Sequence, residues 1–391
     1  MMTRSSLAPA LAGFSATAIG IGIGRFSYTA LIPALIQQGW TSQAEAGYLG
    51  ATNLLGYLIG AALADRAVRW LGLANVLRLA MAACILGMAA CAWPLSLVWL
   101  MGWRLLVGIA GGMLMVSAAP TILPALPPGD RAVASGIIFT GVGAGIAMSA
   151  LVLPLLAGQA LAVVWLGLAL LMLVLALAGW RGWRFATTGA AAAPAAQAGR
   201  IPRNVVGLLL IAYVADAIGF VPHSLFLADY VAREQGQGLA AGARYWMLFG
   251  LGAALGSAGV GAAAVRFGFA RALVGAFVVK TLAVALPLVV GPGAWLGLSA
   301  MLVGALTPGT TALLSGRTAE LVSAGQQRRV WGWMTTAFSL GQAGAGYAMT
   351  ALAALWGSYT GLFAIGAAAL LLSTVCAVVA GAPATTREHA A

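Results

Sequence analysis

The sequence predicts an all-α membrane protein in which twelve transmembrane helices form two pseudo-symmetric six-helix bundles. Hydrophobic residues make up 62% of the 391-residue chain and charged residues only 7%, whereas a soluble domain carries about 25% charged residues. The apolar residues form continuous runs of about the 20 residues that a membrane-spanning helix requires. A segment rich in Ala, Gly and Pro, residues 185–199, separates six of these runs from the other six.

The runs fit helices rather than the strands of a membrane β-barrel, because their hydrophobic residues do not alternate with polar ones. Gaps as short as residues 94–97 require neighbouring helices to be antiparallel. We expect an N-terminal bundle at 1–184, a cytoplasmic linker at 185–202 and a C-terminal bundle at 203–391. The predicted spans are 8–37, 43–64, 73–93, 96–124, 132–157, 160–180, 204–230, 244–265, 272–291, 294–316, 330–354 and 357–380.

The distribution of basic residues predicts the orientation of the chain, because loops rich in Arg and Lys stay in the cytoplasm. Only Arg233 and Arg244 fall in loops on the opposite side. We therefore expect a multi-pass membrane protein with both termini in the cytoplasm. The net charge of +12 does not indicate a nucleic-acid partner, since the basic residues are dispersed rather than clustered on one face. The cytoplasmic set is Arg4, Arg66, Arg69, Arg78, Arg131, Arg181, Arg184, Arg200, Arg203, Arg266, Arg271, Arg317, Arg328, Arg329 and Arg387.

The two halves of the sequence resemble each other weakly. The stretch RLLVG at 104–108 matches AMLVG at 300–304, and GAALADRAVR at 60–69 matches the register of VGAAAVRFGF at 260–269. Two similar halves predict a substrate site at their interface, near the middle of the membrane.

Several motifs resemble those of the major facilitator superfamily. AALADRAVR at 61–69 is similar to the pattern G-x-L-A-D-R-x-G-R of the loop after helix 2, with Ala61 and Val68 replacing the two glycines. Arg104 followed by Gly108 resembles the R-x-x-x-G motif of helix 4. Within the superfamily the chain looks like the YbfB-like group of bacterial transporters. That resemblance rests on GIGRFSYTALIPAL at 22–35, GVGAGIAMSALVLP at 141–154 and FSLGQAGAG at 338–346.

The resemblance implies secondary transport by alternating access in the bacterial inner membrane, with helices 1, 4, 7 and 10 lining a central cavity. It also implies that Asp65, Arg66 and Arg69 act in a cytoplasmic gate, where the acid would pair across the gate only when that side is closed. Drug/proton antiporters usually carry a Gly-Pro pair in helix 5, and the stretch GVGAGIAMSA at 141–150 has none. The resemblance therefore does not favour a typical multidrug exporter.

Arg25 is the first candidate site residue, because it lies about 18 residues into the first apolar run. A charged side chain at the bilayer centre costs at least ~2.5 kcal/mol and normally faces the protein interior. Tyr28 is three residues away and can share its helix face, and a guanidinium suits a carboxylate or phosphate. The alternative is a structural ion pair between two helices. Gly20 and Gly24 also share a face and predict close packing against another helix.

Asp216 is the expected partner of Arg25, since it lies deep in predicted helix 7, the counterpart of helix 1. His223 is seven residues further on the same face, so the two could form a proton relay. The alternative for His223 is a neutral histidine bonded to a backbone carbonyl. We expect Asp216 to be the site of proton coupling.

The remaining polar residues inside the membrane allow less specific predictions. Arg104 either adds positive charge to the cavity or binds backbone carbonyls of the N-terminal half, and the second role is favoured. Gln342 binds either substrate or a neighbouring helix. Lys280, on a peripheral helix, is assigned no role. Trp331 and Trp333 are expected in the aromatic belt at the membrane surface.

The sequence thus predicts a secondary active transporter for a small organic, acidic solute, coupled to protons, with export as the favoured direction. The phosphate-binding pattern GxxxxGK[ST] is missing from the sequence, so an ion or solute gradient must supply the energy. We expect no cofactor, no metal, no nucleic acid and a monomer whose partners are substrate and lipid bilayer. Two alternatives are a membrane-embedded enzyme using Asp216 and His223, and a non-transporting sensor on a transporter fold.

Overall fold

The computed structural model describes residues 4–155, 159–180, 182 and 201–381. Within these ranges the regular secondary structure is helical, and each predicted span corresponds to one long helical segment, labelled α1 to α12 in the same order. Ten segments are long and apolar enough to cross a membrane, or eleven if the bent α8 is counted as one span. α11 is the remaining long helix, and it begins with a polar stretch at 325–329.

The first half of the chain forms α1 to α6, and α1 is interrupted along its length. Its parts are Arg4–Thr17, a π-helical segment Ala18–Ile23 and Ser27–Gln37. The other helices are α2 (Gln43–Leu71), α3 (Leu73–Ala90), α4 (Leu97–Ala125), α5 (Arg131–Leu155) and α6 (Leu161–Gly179).

The second half repeats this order, and α7 is interrupted as α1 is. Its parts are Arg203–Gly219, a π-helical segment Pro222–Phe226, Leu227–Asp229 and a second π-helical segment Tyr230–Glu234. Residues 183–200, most of the predicted linker, lie outside the described residues. The other helices are α8 (Leu239–Phe267), α9 (Phe269–Ala285), α10 (Ala294–Leu321), α11 (Ala324–Trp356) and α12 (Thr360–Gly381).

A single glycine joins α2 to α3 in the first half, and a single glycine joins α8 to α9 in the second. Gly72 lies between α2 and α3 with φ 76°, and Gly268 lies between α8 and α9 with φ 78°. Glycine is the residue that takes this left-handed conformation without a steric penalty, which is why it commonly ends helices. The matching turns give each half an antiparallel hairpin of helices at the same place.

Close helix contacts repeat between the halves and correct part of the sequence comparison. A Cβ atom on Gly60 would lie 1.9 Å from the carbonyl oxygen of Ile109, and one on Gly256 would lie 2.2 Å from that of Ala305. Gly60 therefore corresponds to Gly256. The offset in residue number is the same as the one that relates 104–108 to 300–304. The predicted match of 60–69 with 260–269 is wrong, because letter similarity in Ala- and Gly-rich helices is compatible with several registers.

The halves contact each other mainly through α2 with α11 and α5 with α8. A Cβ on Gly143 of α5 would lie 2.1 Å from the backbone nitrogen of Ala254 in α8, so the helices meet backbone to backbone. We call the membrane face near Arg4 and Arg203 the linker side, and the face where α1 ends and α2 begins the distal side. The space between the halves is called the seam.

Candidate functional site

The break in α1 exposes backbone carbonyls at the depth where Arg25 lies. The backbone nitrogen of Gly24 donates to Ile19 O at 2.9 Å and that of Phe26 to Ile21 O at 3.2 Å, so both bonds span five residues. π-Helical turns of this kind occur frequently at functional sites. The glycines here pack closely, as predicted: a Cβ on Gly20 would lie 3.2 Å from Gly111 Cα.

The side chain of Arg104 in α4 binds the interrupted part of α1 and does not face the seam. Its Nη1 donates to Gly24 O at 2.9 Å, its Nη2 lies 3.5 Å from Arg25 O, and its side chain is buried. The guanidinium carbon lies 4.3 Å from the ring centre of Tyr28. Arg104 therefore binds backbone within the N-terminal half through its two Nη atoms, the alternative that the sequence favoured, while its Nε has no hydrogen-bond partner among the described residues.

Tyr28 is also committed within the N-terminal half. Its hydroxyl donates to Ala46 O of α2 at 2.8 Å, and the residue is 1% exposed. The predicted common face with Arg25 is not formed, because Arg25 lies in the interruption and Tyr28 in the regular helix that follows. Tyr28 therefore joins α1 to α2.

Arg25 points into the seam and stays partly exposed although its neighbours in α1 are buried. Its guanidinium lies 4.8 Å from the ring centre of Phe26 and 5.3 Å from that of Tyr57. Phe26 packs in turn against Trp246 of α8, in the other half, with ring centres 6.0 Å apart. Among the described residues no ion pair includes Arg25, and its Nε has no hydrogen-bond partner. It is therefore a cation without a counter-charge.

The predicted partnership of Arg25 with Asp216 is not found. Asp216 accepts from Lys280 Nζ of α9 at 2.6 Å and from Thr310 Oγ1 of α10 at 2.9 Å. Lys280 is fully buried and Asp216 is 1% exposed. The physical reason is register: the carboxylate faces the interior of the C-terminal bundle, where a buried lysine needs a negative partner. Lys280, to which the sequence assigned no role, is thus the partner of this acid.

His223 likewise faces the interior of the C-terminal bundle. Its Nε2 lies 2.8 Å from Ser299 Oγ, and that hydroxyl donates to Ala283 O at 2.6 Å. The serine hydrogen is used by the carbonyl, so Nε2 of His223 must carry a proton and donate it to the serine oxygen. Its Nδ1 has no partner among the described residues. The expected relay between Asp216 and His223 is not formed, because the two bind separate partners and a π-helical segment begins between them.

Aromatic side chains of α7 and α11 form a stack that the sequence analysis missed. Tyr213 lies 4.4 Å from Phe338 and 5.7 Å from Trp331, measured between ring centres. Trp331 is partly exposed and Trp333 is exposed, and their place in an aromatic belt stays a prediction. Gln342, one turn beyond Phe338, is buried, and its Nε2 has no partner among the described residues.

The distal side is closed by contacts between the halves. Thr29 Oγ1 donates to Ser224 O at 2.5 Å, and Tyr48 of α2 stacks on Tyr347 of α11 at 6.0 Å. Arg233 lies 3.4 Å from Gln43 Oε1 across the seam.

Asp229 anchors this closure and was missed, because its place near the end of a predicted span resembled a loop. It binds Arg233 and accepts from Tyr359 Oη at 2.5 Å, and it is fully buried. Burial raises the pKa of Tyr359 well above its usual value. The phenol therefore remains a proton donor at physiological pH.

The predicted gate residues lie on the linker side. Asp65, Arg66 and Arg69 are exposed, and the ion pairs of the described residues do not include them. The same residues contain no group of His, Cys, Asp and Glu suited to a metal ion.

The family described as "Uncharacterised MFS-type transporter YbfB" matches residues 17–378. No curated protein matches the chain. Among solved structures, the crystal structure of a mutant of the nucleoside transporter NupG has a TM-score of 0.76 and 12% sequence identity, covering 96% of this chain and 100% of that chain. At that identity the likeness shows the fold, and the predicted all-helical membrane fold is confirmed.

Proposed function

The chain belongs to the YbfB-like family of major facilitator superfamily transporters, and from this premise we propose that it moves a small organic anion across the inner membrane. The mechanism is alternating access, with export as the direction to test first. The observation that carries the proposal is Arg25, a cation in the seam without a counter-charge among the described residues. Keeping such a charge at membrane depth costs about 2.5–3.5 kcal/mol even on insertion scales, which a bound anion offsets.

The other buried cations support this role for Arg25 by contrast. Lys280 is neutralised by Asp216, and Arg104 donates to backbone carbonyls. Arg25 alone of these three has neither a carboxylate nor a hydrogen-bonded carbonyl among the described residues, and it lies between the halves. An arginine fork binds a planar carboxylate through two parallel hydrogen bonds.

The contacts between the halves support an alternating mechanism. The distal side is held closed by Thr29, Tyr48 and Arg233 with their partners in the opposite half. Asp65 and Arg66 are exposed on the linker side, which the basic residues of the sequence assign to the cytoplasm. We place these two residues in a cytoplasmic gate that forms when the distal side opens.

Proton coupling is assigned to the pair of Asp216 with Lys280 rather than to Asp216 with Arg25. Protonation of Asp216 would leave Lys280 charged and buried without a partner, which is costly. A proton can therefore bind only if the surroundings of Lys280 rearrange at the same time. This requirement ties protonation to a change of conformation.

Counterflow in proteoliposomes tests the proposal. Vesicles loaded with an unlabelled organic acid should accumulate the same acid in labelled form, and protein-free vesicles should not. Arg25→Ala should abolish the uptake. Arg25→Lys should reduce it about 10-fold or more, since charge remains but the two-pronged contact is lost.

Arg244→Ala is the matched control, because this exposed arginine lies outside the seam, and it should transport normally. Normal counterflow by well-folded Arg25→Ala would refute the role of Arg25. Conversion of the acid into another compound would instead indicate an enzyme.

A further inference from the structure

We infer that the transported anion is an aromatic carboxylate, whose acid group binds between the halves while its ring lies on the aromatic stack of α7 and α11. This inference rests on the proposed function and narrows its substrate class. It is inferred from unpaired hydrogen-bond donors of α1 and α11 and from the aromatic rings beside them.

Several buried donors lack partners among the described residues, and two of them belong to helices that face each other across the seam or lie beside it. These two are Nε of Arg25 in α1 and Nε2 of Gln342 in α11. Buried donors are almost always paired in folded proteins, and one acceptor placed between these two would satisfy both. A carboxylate offers two oxygens with about four lone-pair sites, enough to accept from both residues.

Aromatic side chains of both halves flank the seam beside Arg25. Tyr57 of α2 lies 5.3 Å from the guanidinium. On the facing helix α11, a Cβ on Gly346 would lie 3.0 Å from Leu54 Cδ1 of α2. One helical turn towards the linker side, Gln342 of α11 and Tyr57 of α2 therefore lie at about the same depth.

The aromatic stack lies one further turn along α11, where Tyr213 contacts Phe338 at 4.4 Å and Trp331 at 5.7 Å. Gln342 thus stands between the stack and the level of the cation.

The stack has open positions on which a further ring can lie. Phe338 and Trp331 are partly exposed, whereas Tyr213 is buried beneath them. Phe338 is four residues before Gln342, so the ring and the orphaned amide share one face of α11. A flat ring that carries an acid group can stack on Phe338 while its carboxylate accepts hydrogen bonds from Gln342 and Arg25. An aliphatic acid makes only the hydrogen bonds.

Calorimetric titration of the purified full-length protein tests the inference. The probes are benzoate, 2-naphthoate, the saturated analogue cyclohexanecarboxylate and the uncharged benzamide. The aromatic acids should bind more tightly than cyclohexanecarboxylate by about 2- to 12-fold, the range expected of one stacked aromatic contact. Benzamide should bind more weakly than benzoate.

Variants of Phe338 distinguish a loss of ring stacking from a loss of folded protein. Phe338→Leu should remove the preference for the aromatic acids, and Phe338→Tyr should retain it. Phe267→Leu is the matched control, because Phe267 is exposed at the end of α8, and it should retain the preference as well. Gln342→Leu should weaken benzoate and cyclohexanecarboxylate equally.

The outcomes distinguish this inference from the proposed function. Equal affinity for benzoate and cyclohexanecarboxylate, with weak binding of benzamide, overturns the aromatic substrate and leaves an organic-anion transporter. Tightest binding of benzamide overturns both. No binding of either aromatic acid, or a preference unchanged in Phe338→Leu, also overturns the inference.

Discussion

Three cations lie deep within the helices of the part of the chain that the structure describes, and each is compensated differently. Lys280 has a carboxylate at 2.6 Å, Arg104 has backbone carbonyls released by the break in α1, and Arg25 has only the faces of two aromatic rings among the described residues. The ion pair holds α7 and α9 together, and the bonds from Arg104 to carbonyl oxygens stabilise the interruption of α1. A cation beside aromatic rings remains able to bind an anion, which is why Arg25 is central here.

Neutralising one member of the buried pair should destabilise the protein more than neutralising both. Asp216→Asn leaves Lys280 charged and should lower the free energy of unfolding by about 3–5 kcal/mol. The double variant Asp216→Asn with Lys280→Gln should recover much of this loss, as measured by unfolding in detergent. An equal loss in single and double variants would contradict the pairing.

The same double variant tests proton coupling. Because it can neither bind nor release a proton at this site, it should still exchange solute in counterflow. It should fail to concentrate solute when a pH difference is imposed. Full pH-driven accumulation would remove Asp216 and Lys280 from the coupling mechanism.

The residues of this site differ in how far the sequence could identify them. Arg25 could be found because a charge in an apolar run is visible without a structure. The partner of Asp216 could not be predicted, because it depends on which face of α7 meets α9. The unpaired amide of Gln342 could not be predicted either, because whether a donor finds an acceptor depends on how the helices pack.

At the scale of elements, the helices follow from the sequence and their interruptions do not. Continuous apolar runs predicted each long helix, and the glycines Gly20 and Gly24 predicted close packing. The π-helical segments in α1 and α7 were not predicted, because they depend on carbonyls finding partners in neighbouring helices. These equivalent helices are both interrupted along their length, where a moving transporter needs adaptable backbone.

Close glycine contacts should make the paired helices sensitive to a single methyl group. Gly60→Ala and Gly256→Ala each place Cβ within about 2.2 Å of a carbonyl oxygen on the neighbouring helix. Overpacking of this kind costs roughly 1–3 kcal/mol, so both variants should unfold at lower temperature.

Gly261→Ala is the control for these variants, since a Cβ there meets open space. It should be neutral or slightly stabilising, because alanine favours helix over glycine. If Gly60→Ala and Gly261→Ala unfold alike, the close approach of α2 to α4 is not as described.

At the scale of the whole molecule, two similar bundles enclose a site to which both contribute. Arg25 comes from the first half and Gln342 from the second, while the distal contacts of Thr29 and Arg233 hold the halves together on one side. Asp229 and Tyr359 fix the position of Arg233 within this closure. Opening the distal side requires these contacts to break, so occupation of the site and distal access should be linked.

Labelling of a cysteine placed at Thr29 measures this link directly. The residue is 2% exposed, and the native cysteines Cys84, Cys91 and Cys376 are buried, so Thr29→Cys should react slowly with a membrane-impermeant maleimide added on the distal side. A mixture of benzoate, cyclohexanecarboxylate and hexanoate should change the labelling rate at least several-fold. The additional substitution Arg25→Ala should abolish that change. A rate that does not respond to these acids, or one that responds equally in Arg25→Ala, would contradict alternating access around Arg25.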